Sequence, residues 1–124
     1  MRYIIGDTET TGLGPSRKAC DIGLMEIDAD LNELGEAEAL INPERPIDPA
    51  AAAIHGISDE MVADKPTLQQ WIDATFAGGI DGEVTLIGYR VGFDAPLLAP
   101  IFNIVKTFDL LPLAQTLVSD SKDH

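Results

Sequence analysis

The order of secondary-structure signals predicts an α/β domain built on a mixed five-stranded sheet flanked by helices. Three strand-like segments follow one another at short spacing near the N-terminus, as in an antiparallel meander. Helical and strand-like patterns then alternate, which marks crossover connections and parallel pairing. With 124 residues, 45% of them hydrophobic and 23% charged, the chain suffices for one small core, and no repeat or internal boundary divides it.

The elements follow in order. Residues 3–7 read as a first strand and 8–14 as a Thr- and Gly-rich loop. Residues 19–27 form a second strand, 28–35 supply turn signals, and 36–41 return as a third strand. Three prolines make 42–49 a loop. Two short helical turns occupy 50–55 and 58–63, the second with Ser58 as N-cap and Asp59 and Glu60 in its first turn. The clearest helix comes next. Thr67 and Gln70 have capping-box spacing, and Leu68, Trp71, Ile72, Thr75 and Phe76 recur at helical intervals. That periodicity makes Trp71 a core side chain rather than a platform for stacking a base, and Gly78 and Gly79 end the helix. Residues 84–88 form a buried strand and 93–102 a helix with Leu97, Leu98, Ile101 and Phe102 facing inward. Pro96 suits a first turn, whereas Pro100 kinks or ends that helix early. A fifth strand spans 104–108, and another helix begins at 110–117.

The formal charge is −13, from 21 acids against 8 Lys and Arg. Proteins that grip duplexes by neutralising phosphates are usually basic, so this balance argues against strong unaided duplex binding. It leaves nucleic-acid chemistry open, because bound cations reverse the local charge where acids cluster and a partner can present the substrate. No run of about 18 apolar residues is present, which argues against a membrane-spanning helix. The first residues carry acids directly after their apolar positions and lack a signal-peptide cleavage pattern. Cys20 cannot form an internal disulfide and sits in an apolar run, the pattern of a buried thiol in a cytoplasmic protein.

Asp7 and Glu9 are the sharpest local feature. Side chains two apart in an extended strand project to one side, so the two carboxylates point together. Converging carboxylates repel unless a cation lies between them, and hard oxygen donors suit Mg²⁺ or Mn²⁺. Alternatively, the pair is a solvated acidic start to a loop. Asp94 follows the fourth strand at the start of a helix, where the helix dipole favours an ionised carboxylate. If the fourth strand lies beside the first, Asp94 faces Asp7 and Glu9; otherwise it is an ordinary helix-start acid.

Asp7-Thr8-Glu9-Thr10-Thr11-Gly12 resembles the first motif of the DnaQ-like 3′→5′ exonucleases of the DEDD superfamily, the family of epsilon-type proofreading subunits. The segments 41–43, 46–47 and 54–62 resemble the family's central part. Residues 88–98, with Phe93-Asp94, resemble its second motif, and 108–114 its next strand and helix start. The resemblance runs from Tyr3 onward in order and with fitting spacing. It implies an RNase H-like fold and a two-metal hydrolase that releases nucleoside 5′-monophosphates. Asp7, Glu9 and Asp94 would be catalytic and would hold two Mg²⁺ or Mn²⁺ ions, about 3.5–4 Å apart in such sites. Thr10, Thr11 and Gly12 would lie against the terminal nucleotide, with Phe93 near its base or sugar. His55, in an Ile-His-Gly-Ile setting, either contacts the same nucleotide or is structural. A single-stranded 3′ end of DNA or RNA is the implied ligand, with a DNA polymerase as a possible partner.

Two departures stand out. The family's third motif, H-x-x-x-x-D, which supplies the general base and another metal ligand, has no match, and His124 is not that histidine. The expectation is therefore a single domain over 1–124 lacking its last helices, weak or inactive alone, and self-associating or partnered through the face they would cover. A truncated piece and a naturally short relative remain alternatives, as does a degenerate module that binds without turnover. Tyr89-Arg90 stands where relatives commonly have His-Asn. Arg90 either contacts a phosphate or balances nearby acids. A haloacid dehalogenase-type phosphatase also opens with a strand and D-x-D-x-T, but here the second acid is Glu9 and no later lysine motif follows.

Overall fold

The computed structural model describes residues 1–76 and 80–112. They form five strands and four helices: β1 (Arg2–Thr10), β2 (Ala19–Ile27), β3 (Glu33–Leu40), α1 (Pro49–His55), α2 (Asp59–Val62), α3 (Leu68–Thr75), β4 (Glu83–Gly88), α4 (Val91–Leu98) and β5 (Asn103–Asp109). The strands make one sheet in the order β3-β2-β1-β4-β5. β1, β2 and β3 pair antiparallel, whereas β4 pairs parallel with β1 and β5 parallel with β4. This is the expected mixed sheet. The end of the helix expected over 110–117, the expected helix stop at Gly78 and Gly79, and His124 lie outside the described residues.

β1 is longer than its apolar run. Residues 8–10, expected in a loop, continue the strand because threonine fits a pleated surface and β2 offers partners as far as Ala19. Asp7 and Glu9 therefore lie within a strand rather than at its mouth. Between Glu9 and Thr10 the pairing slips, from Glu9 opposite Asp21 to Thr10 opposite Ala19. Cys20 is left as the extra residue of a bulge, a device that turns a strand end.

Alternation along β1 decides where the core sits. Ile4, Gly6, Thr8 and Thr10 are buried on one face, while Ile5 and Asp7 are exposed and Glu9 is half-buried on the other. Ile4, Ile22, Leu24, Val84 and Leu86 of the sheet pack with Trp71 and Ile72 of α3 and with Leu98, Ile101 and Phe102. Trp71 is 8% exposed and meets Phe76 edge to face at 5.3 Å, so it is core, as its periodicity predicts. The capping box between Thr67 and Gln70 is also present. Cys20, Ile47, Ile57 and Val62 form a second, smaller cluster under α1 and α2.

α4 starts at Val91, two residues before the expected Phe93, and stops at Leu98 ahead of Pro100. The early stop shifts Ile101 and Phe102 out of the helix, yet both stay buried, and Leu97 is only half-buried. Pro96 lies inside the helix rather than in its first turn. Two glycines let α4 and β4 close on β1. A Cβ on Gly6 would lie 2.8 Å from Leu98 Cδ1, and one on Gly88 would lie 2.9 Å from the Gly6 carbonyl oxygen. Arg90, between β4 and α4, takes the left-handed conformation at φ 55°, and its N–H donates to Asp109 Oδ1 at 3.0 Å. Asp109 also accepts from the Leu111 N–H at 2.9 Å, so it secures this turn.

Gly88→Ala should destabilise by about 1–3 kcal/mol in urea unfolding, because backbone oxygen cannot yield to the new methyl. Arg90→Asn should act oppositely and stabilise by about 0.5–1 kcal/mol in the same assay. Asparagine tolerates φ above zero better, and the backbone bond to Asp109 is retained.

Candidate active site

Pairing across the sheet arranges the acids. Asp7 lies opposite Gly23, which lies opposite Glu38, and Glu9 lies opposite Asp21. Opposed residues share a face, so Asp7, Glu9, Asp21 and Glu38 occupy the side of the sheet away from α3 and α4. Burial and then Asp7 raise the Glu9 pKa, and burial and then Glu38 raise that of Asp21. Asp21 had no motif to mark it in the sequence; only the register with Glu9 reveals it.

Asp94 comes to this region from α4. It is 3% exposed, and Thr8 Oγ1 donates to its Oδ1 at 2.5 Å. Because β4 lies beside β1, the start of α4 meets the part of β1 that runs on past the end of β4. Thr8, between the two acids and turned to the opposite side, is what Asp94 meets. Thr8 went unnoticed in the sequence although the same alternation that joins Asp7 to Glu9 places it there. Burial pushes the Asp94 carboxyl up to about 6; the Thr8 hydrogen bond and Arg17 oppose the shift, and Asp7 and Glu9 add to it. The three carboxylates thus act on one another, but among the described residues no three His, Cys, Asp or Glu side chains are gathered to hold a metal ion. The chemistry of the set still fits a divalent cation: hard oxygen donors of one sign, with the Glu9 and Asp94 anions disfavoured by their neighbours.

A cleft of about 450 Å³ opens beside Glu9, and Thr10, Gly12, His55 and Phe93 also line it. Two side chains not expected there flank it: Leu13 and Ile54, 84% and 87% exposed. Together they give the rim of the cleft an exposed apolar surface. A larger groove of about 610 Å³, near Lys18, Glu44, Arg45 and Leu97, is lined by none of Asp7, Glu9, Asp21, Glu38 and Asp94.

The remaining expected residues divide. Thr10 is buried, its Oγ1 donating to the Gly12 carbonyl at 2.7 Å. Thr11 does not line the cleft. It is 1% exposed, and its Oγ1 accepts from the Lys18 N–H at 3.1 Å while its carbonyl accepts from the Asp48 N–H at 2.8 Å. Its hydroxyl thus closes the 11–18 loop. His55 borders the cleft but is engaged at both ring nitrogens: Nδ1 accepts from the Ile57 N–H at 3.0 Å, and Nε2 donates to the Thr10 carbonyl at 2.9 Å. This fixes one tautomer and ties α1 to the end of β1. Phe93 is half-buried, with the Arg17 guanidinium 3.9 Å from its ring centroid.

A five-stranded mixed sheet carrying paired acids on its first strand, with a helix-borne acid beside them, defines an RNase H-like exonuclease fold. The RNase T family model, described as Exonuclease, matches residues 4–110, and the chain belongs to this family. The chain is 34% identical over 125 residues to DNA polymerase III subunit epsilon of Haemophilus influenzae, covering 94% of itself and 48% of that protein. It is 32% identical over 111 residues to the same subunit of Escherichia coli, covering 85% of itself and 45% of that protein. The chain thus spans about half the length of these relatives. Exonuclease X, solved in complex with 5′ overhanging duplex DNA, superposes with a TM-score of 0.67 at 28% identity, over 93% of this chain and 63% of that one. Escherichia coli exonuclease I, solved with a dA16 oligonucleotide, shares the fold with a TM-score of 0.74 at 19% identity, over 94% of this chain and 30% of that one.

The Asp94 shift has a sign that can be measured. Its folded pKa of about 6 lies above an ordinary aspartate's 3.8, so between the two the folded state keeps a proton that the unfolded chain releases. Without divalent cations, stability should fall as pH rises from about 4 to about 6, by up to about 3 kcal/mol, and stay lower above that. Urea unfolding from about pH 4.5 to about pH 7.5 should show this slope in the wild type and a shallower one in Asp94→Asn, where the raised pKa values of Glu9 and Asp21 still contribute. Saturating Mn²⁺ at neutral pH, which favours the ionised form, should restore part of the stability.

Proposed function

We propose that this domain is the core of a divalent-metal-dependent 3′→5′ exonuclease that removes nucleoside 5′-monophosphates from nucleic-acid ends. The observation that carries the reading is the placement of Glu9, with Asp7 two residues before it on the same face, at the wall of a nucleotide-sized cleft flanked by apolar side chains. Family membership, and the 5′ overhanging duplex DNA held by exonuclease X, support a DNA end as the substrate, and we take its 3′ strand as the one trimmed. The epsilon relatives support a DNA polymerase as partner.

Asp7, Glu9 and Asp94 would hold the Mg²⁺ or Mn²⁺ ions, which when bound supply an activated water and charge stabilisation at the leaving 3′-oxygen. The protein's own groups orient the end of the strand. Leu13, Ile54 and Phe93 would flank the terminal base, and the backbone at Gly12 would lie against the nucleotide. Thr8 keeps the Asp94 carboxylate oriented, since its hydroxyl donates to the charged form. His55 would border the nucleotide with its ring while both nitrogens stay committed to the fold, so it is not placed to take the proton from water. Val105 and Phe108, 46% and 52% exposed on the edge strand β5, support a covering partner or self-association.

A second reading, a family member that binds without turnover, is favoured by the absence of a gathered three-ligand set among the described residues. One assay separates the two. A 3′-labelled single strand incubated with Mn²⁺ should shorten one nucleotide at a time, slower by about 10²–10⁴-fold than with an enzyme possessing a general base. Asp7→Ala should abolish the shortening. Metal binding without any shortening would favour the binding module.

A further inference from the structure

Arg17 lies on the loop between β1 and β2, outside every motif that marks the site. That loop is closed by the Thr11 N–H donating to the Lys18 carbonyl at 2.9 Å, and Arg45 Nη1 holds the Ser16 carbonyl at 2.6 Å from outside. From this base the Arg17 side chain crosses to α4. Nη2 donates to the Phe93 carbonyl at 2.6 Å, Nη1 donates to the Gly14 carbonyl at 3.3 Å, and the guanidinium stacks 3.9 Å from the centre of the Phe93 ring. Gly14 and Phe93 both line the cleft, so one side chain connects two of its walls.

A surface arginine normally keeps all its N–H groups wet. Here Nε is buried and has no hydrogen-bond partner among the described residues. Leaving a charged donor so placed is costly, and the side chain stays there only because its planar end is held at several points at once. The aromatic ring accepts the cation on its face, and two carbonyls accept its N–H groups. Among the described residues the one ion pair is Arg2 with Glu26, remote from this loop, so no carboxylate competes for Arg17.

We infer that Arg17 is a positioning residue: it fixes the Phe93 ring as one wall of the cleft and fastens the Gly12–Gly14 lip to α4, so that a nucleotide base meets a preset surface. This rests on the cleft being the nucleotide site proposed above. Binding a base against an unfixed ring would require ordering it at that moment, which lowers affinity. Lysine at this position would keep the charge but lose the planar fork that reaches two carbonyls while stacking.

The test uses the full chain labelled with 4-fluorophenylalanine, which gives one fluorine signal for each of its four Phe residues. Three quantities are compared in wild type, Arg17→Met and Arg17→Lys: Mn²⁺ affinity alone, affinity for deoxyadenosine 5′-monophosphate in saturating Mn²⁺, and the fluorine spectrum. In Arg17→Met the nucleotide should bind about tenfold more weakly, the order set by losing a desolvated cation–π contact and its hydrogen bonds. Mn²⁺ affinity should hold, and only the Phe93 signal should shift or broaden. Arg17→Lys should fall between. Unchanged nucleotide affinity, or an unmoved Phe93 signal, overturns the inference while leaving the exonuclease reading intact. Loss of Mn²⁺ affinity with disturbance of all four signals shows a purely structural role and overturns it too. A wild-type protein that binds no nucleotide in Mn²⁺ removes the underlying reading, and this role with it.

Discussion

The spacing of β1, β4 and α4 is set where Gly88 passes the Gly6 carbonyl and Leu98, at the end of α4, passes the Gly6 α-carbon. Neither approach leaves room for a side chain. Parallel pairing of Tyr3 with Thr85 and of Ile5 with Ile87 brings the two strands together, and the missing methyls let the helix settle onto them. A residue six beyond the end of β4 is then delivered against a residue in the second half of β1. Asp94 reaches Thr8 because of this packing, not through any local preference of its own.

β1 therefore serves two solvents. Its inward face is apolar at Ile4 and ends in hydroxyls at Thr8 and Thr10, each with a partner that satisfies it. Its outward face carries carboxylates beside those of β2 and β3, in a chain whose formal charge is already −13. Such crowding raises the free energy of the ion-free protein and lowers that of any form that binds a cation. Arg17 and the cleft stand at the junction of these two faces, where a ligand bearing both an apolar ring and an anionic group would find each matched.

Much of this was legible from residue order. The meander, the capping box at Thr67, the burial of Trp71 and the pairing of Asp7 with Glu9 all follow from local periodicity, and the structure agrees with them. Strand ends were less legible, since Thr8 and Thr10 carry polar side chains and owe their strand to β2. The site was readable only in part. Asp21 required the register with Glu9, Leu13 and Ile54 required knowledge of their exposure, and Thr11 and His55 turned inward for reasons set by loop closure and helix attachment. Each depends on contacts between segments far apart in the chain, which a motif does not encode.

The bulge at Cys20 has a practical reach beyond the sheet. Its thiol is fully buried, and burial, with Asp21 and Glu9 nearby, pushes its pKa up to about 11. A thiolate is the species that reacts with maleimides, disulfides and peroxides, so this sulfur should be nearly inert at neutral pH. Since the chain has one cysteine, a second placed on the surface would react alone. The native sequence is thus already suited to attaching a single spin label or fluorophore without first replacing its own sulfhydryl.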